Sequence, residues 1–238
     1  VPALKTGVEE VMRLRITKRV TLIILSIWLV LLPISVFAGV WWDDFEDGRA
    51  DGWSEVSGDW EVTDGTYQQT TMDAIYQKSI LELEDLSDFT LEVDVTVLEG
   101  GQASTSVAAG VLVRADAEGA SGYRIWIRPD QSGFQFSTWQ DNAYTHVIVD
   151  PATRAVEGEP GHLKVQIEGF TISVWVDDNI MVDEYTDADE LFPSGRVCLI
   201  NYNAHAQYDN LIIEGPAVPT NLAVKPAGKL AVAWGTIK

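Results

Sequence analysis

The sequence predicts an all-β fold: two antiparallel sheets packed face to face as a jelly-roll sandwich, preceded by an N-terminal apolar signal helix. Three observations predict it. Beyond residue 40, runs of about five to ten residues alternate apolar and polar side chains, the period of a half-buried strand. Gly, Asp, Asn and Ser interrupt those runs about every 8 to 12 residues, the spacing of sandwich turns. No stretch of that region holds a helical period for longer than a turn or two, and 187–191 is where one such turn is expected.

The chain opens with a leader, 1–38. Segment 12–19, MRLRITKR, carries four positive charges, and 20–39 carries none. Pro33 breaks the apolar helix, and Val36-Phe37-Ala38 offers small residues where a signal peptidase cuts. Cleavage is therefore expected after Ala38, with Met12 the expected start and the first residues an upstream extension. The alternative is an uncleaved anchor, because about 20 apolar residues span a bilayer. Either way the remainder is expected outside the cytoplasm: secreted, periplasmic or at the cell surface, touching membrane only through this segment if it is retained.

The sandwich domain is expected over 39–215. Strand 53–60 leads to Glu61-Val62; Asp64-Gly65 turns the chain, and 67–70 returns. Strand 74–80 follows. Then 89–98, FTLEVDVTVL, puts Leu91, Val93, Val95 and Val97 on one face, and Gly100-Gly101 end it. Strands 107–114, 122–128, 133–139 and 144–149 come next. Segment 162–185 reads as two linked hairpins. Leu163, Val165 and Ile167 alternate with Lys164, Gln166 and Glu168, and Gly169 permits a turn. Ile172, Val174 and Val176 resume the pattern, and Asp177-Asp178-Asn179 tolerate the left-handed backbone of the second turn. Two hairpins need a second layer to bury their apolar face. Strands 195–201 and 207–213 complete about a dozen. Pro216, Pro219 and Pro226 mark a linker, so 216–238 is read as linker plus a strand-like tail, KLAVAWGTIK.

Composition narrows the ligand class. The 238 residues carry a formal charge of −20, and without the leader 11 basic side chains face 34 acidic ones. Such a surface repels phosphate backbones, so no nucleic-acid partner is expected. It suits cations and neutral ligands such as glycans, although a merely solvated acidic surface explains the same charge. The lone Cys198 excludes an intramolecular disulfide. It sits in the apolar run RVCLI, which predicts a buried, inert thiol.

Four phrases stand in order along the domain: DDFEDGRADGWSEVSGDWEVTDGTYQQ (43–69), SGYRIWIRPD (121–130), HLKVQIEGFTISVWVDD (162–178) and GRVCLINYNAHAQYDNLIIEG (195–215). Together they resemble the concanavalin A-like, laminin G-like jelly roll of bacterial exported proteins. The resemblance implies two curved antiparallel sheets, and a function that ranges over glycan binding, adhesion, hydrolysis and spacing. It also implies a structural calcium between acids near the first strand and an aspartate on the last, here Asp44, Glu46 and Asp209. Calcium needs six to eight oxygens, which an acidic patch supplies. The competing reading is that these acids form turns and solvate the surface.

Two further sets bear on chemistry. Glu92 and Asp94 share one strand face. A sandwich-fold glycosidase pattern, Glu-x-Asp-x-x-Glu, would need a third carboxylate where Val97 stands, so the pair reads as a polar outer face. Tyr123, Arg124, Trp126, Arg128, Trp139 and Gln140 form the candidate ligand patch: flat aromatics receive sugar rings and the polar groups fix hydroxyls. Ordinary sheet packing accounts for such aromatics equally well. Trp175, on the polar side of its hairpin, is a further platform. His146, His162 and His205 share no metal-ligand spacing, and no nucleophile motif or phosphate loop is present, so no catalytic residue is assigned. The expected function is a non-catalytic module that binds carbohydrate or a cell-surface polymer. The alternatives are a glycoside or keto-sugar hydrolase and a structural or adhesive domain with protein partners.

Overall fold

Two sheets, one of eight strands and one of seven, account for every strand of the described residues, and all pairings are antiparallel. The computed structural model describes residues 38–220 apart from 85, 103, 104 and 131, together with all side chains of that span except that of residue 146. The expected leader and most of the expected tail lie outside the described residues.

The first sheet runs β13 (Asn179–Thr186), β12 (Thr171–Val176), β11 (Gly161–Glu168), β6 (Phe89–Gly100), β15 (Ala204–Gly215), β4 (Thr66–Gln69), β3 (Trp60–Thr63), with β1 (Gly39–Asp43) also on β15. The second runs β10 (Ala143–Asp150), β9 (Phe134–Gln140), β8 (Gly122–Ile127), β7 (Ala108–Ala115), β14 (Arg196–Tyr202), β5 (Tyr76–Leu81), β2 (Trp53–Ser57). Three hairpins close through two-residue turns whose central residues both have positive φ: Asp64-Gly65, Asp141-Asn142 and Asp177-Asp178. Short Asp and Asn side chains, and Gly, tolerate that backbone, and its twist matches the flanking strands. The single turn expected at 187–191 is present as one hydrogen-bonded turn, Glu190 N to Asp187 O (3.3 Å), braced by the Asp187 carboxylate, which accepts from Asp189 N (3.2 Å) and Leu191 N (2.9 Å).

The period-two reading holds across the interface. Leu91, Val93, Val95, Val97, Leu163, Val165, Ile167, Ile172 and Val174 are fully buried against Val111, Val113, Ile125, Phe134, Phe136 and Leu199. The neighbours that alternate with them, Glu92, Asp94, Lys164 and Gln166, face out, half-buried.

The second sheet departs from simple alternation. Every residue of β7 and β8 is buried, on both faces. Its outer face carries a second apolar cluster, Ile80, Leu112, Trp126, Trp139, Cys198 and Ile200. The loop 116–121 covers one end of that face. Trp139 Nε1 donates to Gly119 O (3.3 Å), and Asn142 N donates to Ala120 O (2.9 Å). Gly119 has φ of 62°, and a Cβ there would stand 3.1 Å from Lys78 Cδ and 3.3 Å from Cys198 Sγ, so glycine suits a loop that lies this low. Cys198 is wholly buried, and burial pushes its thiol up to about 12, which leaves it protonated and inert as expected. The other end of the face stays open.

A candidate ligand pocket on the outer face of the second sheet

Strand alternation builds the open end. On β8, Tyr123, Ile125 and Ile127 point into the sandwich, so Arg124 and Trp126 point out, followed by Arg128. On β9 the outward set is Gln135, Ser137 and Trp139. Register sets Trp126 beside Gln135 and Arg124 beside Ser137. On β10, Tyr144 pairs with Trp139, and their rings are parallel within 4° at 6.3 Å. From the other side β5 and β14 supply Tyr76 and Tyr202, paired with each other. The strand between, β7, presents Ala108 and Gly110 at this end of the face. Gly110 is flanked by Trp126 and Ile200, and a Cβ there would fall 2.1 Å from Ile125 O. This small-residue floor leaves a pocket of ≈ 120 Å³ whose lining includes Tyr76, Arg124, Trp126, Arg128, Gln135, Tyr144, Tyr202 and Ser106.

Arg124 is the centre of it, with no exposed surface. Its guanidinium carbon lies 4.0 Å from the Trp126 ring centre, 4.3 Å from Tyr144 and 4.8 Å from Trp139. Nη2 donates to Ser137 Oγ (3.3 Å), whereas Nε and Nη1 have no hydrogen-bond partner, and neither has Trp126 Nε1. Burial lowers the Arg124 pKa to about 10; the charges of the Tyr76 and Tyr144 phenols and a hydrogen bond from the guanidinium to Tyr76 offset part of that, and the group is still cationic at neutral pH. Ring faces attract a cation without using its in-plane N–H groups. The cation is therefore held, and the donors on Nε and Nη1 remain unused.

Arg128 differs. It pairs with Asp130 through Nη2 (2.5 Å) and Nε (3.1 Å), and Nη1 donates to Gln135 Oε1 (3.3 Å). Burial alone would raise the Asp130 pKa, but bonds from Ser132 N, Arg128 and Val107 N outweigh it and leave Asp130 below its ordinary value. Arg128 is thus neutralised locally, and no carboxylate stands among the described lining residues.

Of the six residues expected to form the patch, Arg124, Trp126 and Arg128 line the pocket. Trp139 is fully buried behind Arg124. Gln140 is exposed at the end of β9, and Tyr123 lies in the core, its hydroxyl donating to Asp187 Oδ2 (2.6 Å). Tyr123 and Arg124 are neighbours on a strand, so they face opposite ways. The same rule points to Gln135. Tyr76, Ser106 and Tyr202 come from segments distant in sequence and carry no local signal.

The acid sets lie elsewhere. Asp43 Oδ1 accepts from Phe45 N (2.9 Å), Asp44 Oδ1 from Glu46 N (3.4 Å) and Asp47 Oδ1 from Arg49 N (3.0 Å), so this run satisfies its own turn. Asp209 accepts from Asn210 Nδ2 (3.0 Å). Among the described residues no group of three or more His, Cys, Asp or Glu side chains is gathered in a way that would hold a metal ion. Burial pushes Asp43 up to about 7; the Phe45 N bond opposes it, and the charges of Asp47 and Asp44 add to it. On the outer face of the first sheet, Asp94 meets His162 Nδ1 (2.8 Å) and Asn210 Nδ2 (2.9 Å), and Glu92 meets Lys164 (2.9 Å). Glu92 and Asp94 thus form the polar outer face that their spacing predicts. Trp175 is on that face too, with Lys164 Nζ 5.9 Å from its ring.

A family model described as a 3-keto-alpha-glucoside-1,2-lyase-like domain matches residues 41–214. A levanase of Bacillus subtilis (strain 168) is 27% identical over 164 residues, which are 68% of this chain and 23% of the levanase. The chain therefore spans about a quarter of that relative's length. Among solved structures, the carbohydrate binding module CBM66 from Bacillus subtilis superposes with a TM-score of 0.61 at 24% identity, over 69% of this chain and 96% of that one. The GH43 protein BlXynB from Bacillus licheniformis gives 0.56 at 13% identity, over 73% of this chain and 39% of that one. At these identities the structural likenesses establish the shared sandwich fold.

Proposed function

Because this chain belongs to the 3-keto-alpha-glucoside-1,2-lyase-like domain family, we propose that its sandwich is a carbohydrate-binding domain whose ligand enters the pocket over Arg124. The observation that carries this reading is a buried cation that keeps Nε and Nη1 unpartnered between aromatic rings. Unused buried donors are costly unless a ligand completes them. Aromatic walls with a few convergent donors suit a sugar, whose C–H faces pack on rings while its oxygens accept hydrogen bonds. The likeness to a carbohydrate binding module and to part of a levanase supports the same reading.

The test is a glycan array with the unaltered chain and with Arg124→Gln. Binding of at least one glycan class, lost in the variant, is expected. A blank array for the unaltered chain removes the reading.

A lyase acting on 3-keto-alpha-glucosides is the second reading, favoured by the description of the matching family. The pocket's described lining residues include no carboxylate or histidine to move a proton, which favours binding over catalysis. Turnover of a 3-keto-alpha-glucoside by the purified chain would reverse that order. A structural calcium on Asp44, Glu46 and Asp209 is a separate proposal. Its support is the acidic run Asp43, Asp44, Glu46 and Asp47, which offers carboxylate oxygens to a cation. Export through the leader is likewise proposed, and N-terminal sequencing of the secreted chain tests cleavage after Ala38.

A further inference from the structure

We propose that the Arg124 pocket takes a carboxylate: its ligand is an acidic sugar, a uronic acid presented at a chain end. This deepens the carbohydrate reading and rests on it.

The second sheet contains an internal comparison of three buried arginines. Arg114 is 2% exposed and spends its donors on the carbonyls of Ser87, Phe192 and Gly169. Arg128 is 7% exposed and is matched by Asp130 and Gln135. Arg124 is the most buried of the three, at 0%, yet Nε and Nη1 have no partner and no acid lines its pocket. Aromatic faces stabilise its charge from above and below the plane, and the Ser137 and Tyr76 hydroxyls are neutral acceptors that leave Nε and Nη1 without a partner. What is missing is therefore in-plane acceptor oxygen carrying negative charge. A sugar hydroxyl supplies the oxygen but leaves the charge uncompensated. A carboxylate supplies both, in the planar geometry that a guanidinium matches.

Size agrees with a group rather than a whole chain. The pocket's ≈ 120 Å³ equals the volume of about four waters, enough for a carboxylate and the adjoining ring edge. Tyr144, half exposed at the mouth, is set to flank the ring that follows. The sugar would enter acid first, with its chain leaving toward solvent.

The test is titration calorimetry on the unaltered chain with matched disaccharides that differ only at the non-reducing C6: glucose against glucuronate, galactose against galacturonate, mannose against mannuronate. At least one acid is expected to bind ten times or more tighter than its neutral twin, and Arg124→Gln is expected to erase that difference while still melting cooperatively. If no acid exceeds its twin, the inference is overturned; neutral sugars that bind in that case leave the carbohydrate reading standing. Silence from all three pairs together with a blank glycan array removes both.

Discussion

Arg124 lies face-on to Trp126, its guanidinium carbon 4.0 Å from the ring centre, while the indole Nε1 of the same tryptophan has no hydrogen-bond partner. The two side chains thus hold one another by charge and ring face, and both keep donors in reserve. A core interaction selected for stability would be expected to use those donors. Unused, they weaken the fold and serve the site proposed above, an exchange of stability for function.

That exchange is measurable in melting temperature. Arg124→Met keeps much of the volume and removes a buried cation whose pKa is already lowered to about 10 by burial. Replacing an uncompensated buried charge by an apolar group is neutral or stabilising, by roughly 1–2 kcal/mol here after the lost ring contacts are counted. Arg114→Met instead orphans the carbonyls of Ser87, Phe192 and Gly169 and should cost about 3 kcal/mol or more. If Arg124→Met destabilises as much as Arg114→Met, Arg124 is a structural residue and the site reading is weakened.

Asp43 sets an acid-side dependence. Its folded pKa is raised from 3.8 to about 7, chiefly by burial. The folded state therefore binds this proton more tightly than the unfolded chain. The stability it contributes is complete below pH 4 and is lost as pH rises from about 4 to 7. Allowing for partial exposure, the loss is on the order of 1–2 kcal/mol. Asp43→Asn keeps an acceptor for Phe45 N and should melt higher than the unaltered chain at pH 8, with the difference vanishing at pH 4. A pH-independent difference would contradict the assignment. Repeating the pH 8 scan with calcium and with chelator tests the metal proposal, since a bound cation should favour charged Asp43 and raise the melting temperature.

On the outer face of the first sheet His162 gives the same sign in a higher pH window. The Asp94 hydrogen bond, against some opposition from burial, raises the His162 pKa above its ordinary 6.5. The stability of this pair is fully present below pH 6.5 and fades as pH rises through the folded value. The groups are half exposed, so the effect is under about 1 kcal/mol. His162→Gln should flatten that slope, which melting scans between pH 5 and 8 would reveal. An NMR titration placing the imidazole below 6.5 would contradict it.

The fold was largely legible in the sequence because its signals are local. The alternation of Leu91, Val93, Val95 and Val97, and the Asp177-Asp178 turn, each need only a few neighbouring residues to be read. The strand count was underestimated, about a dozen against fifteen among the described residues, because 53–60 ran β2 and β3 together and β1 was not read as a strand. The site was half legible. Arg124, Trp126 and Arg128 stand two residues apart, the spacing of one strand face. Tyr123 was misgrouped with them although the same rule excludes it. Tyr76 and Tyr202 reach the pocket only through the pairing of β5 with β14, and no local pattern encodes which distant strands become neighbours. The small floor residues Ala108 and Gly110 acquire meaning only beside Trp126 and Ile200.

The two aromatic surfaces, Trp126 on one sheet and Trp175 on the other, can be separated in one titration. A glycan bound on the array is titrated into the unaltered chain, Arg124→Gln and Trp175→Ala. Loss of hydrogen bonds to a buried cation should weaken binding to Arg124→Gln by about 1.5–3 kcal/mol, more than tenfold, and leave Trp175→Ala unchanged. Full affinity in Arg124→Gln with binding abolished in Trp175→Ala would put the ligand on the other sheet and contradict the pocket.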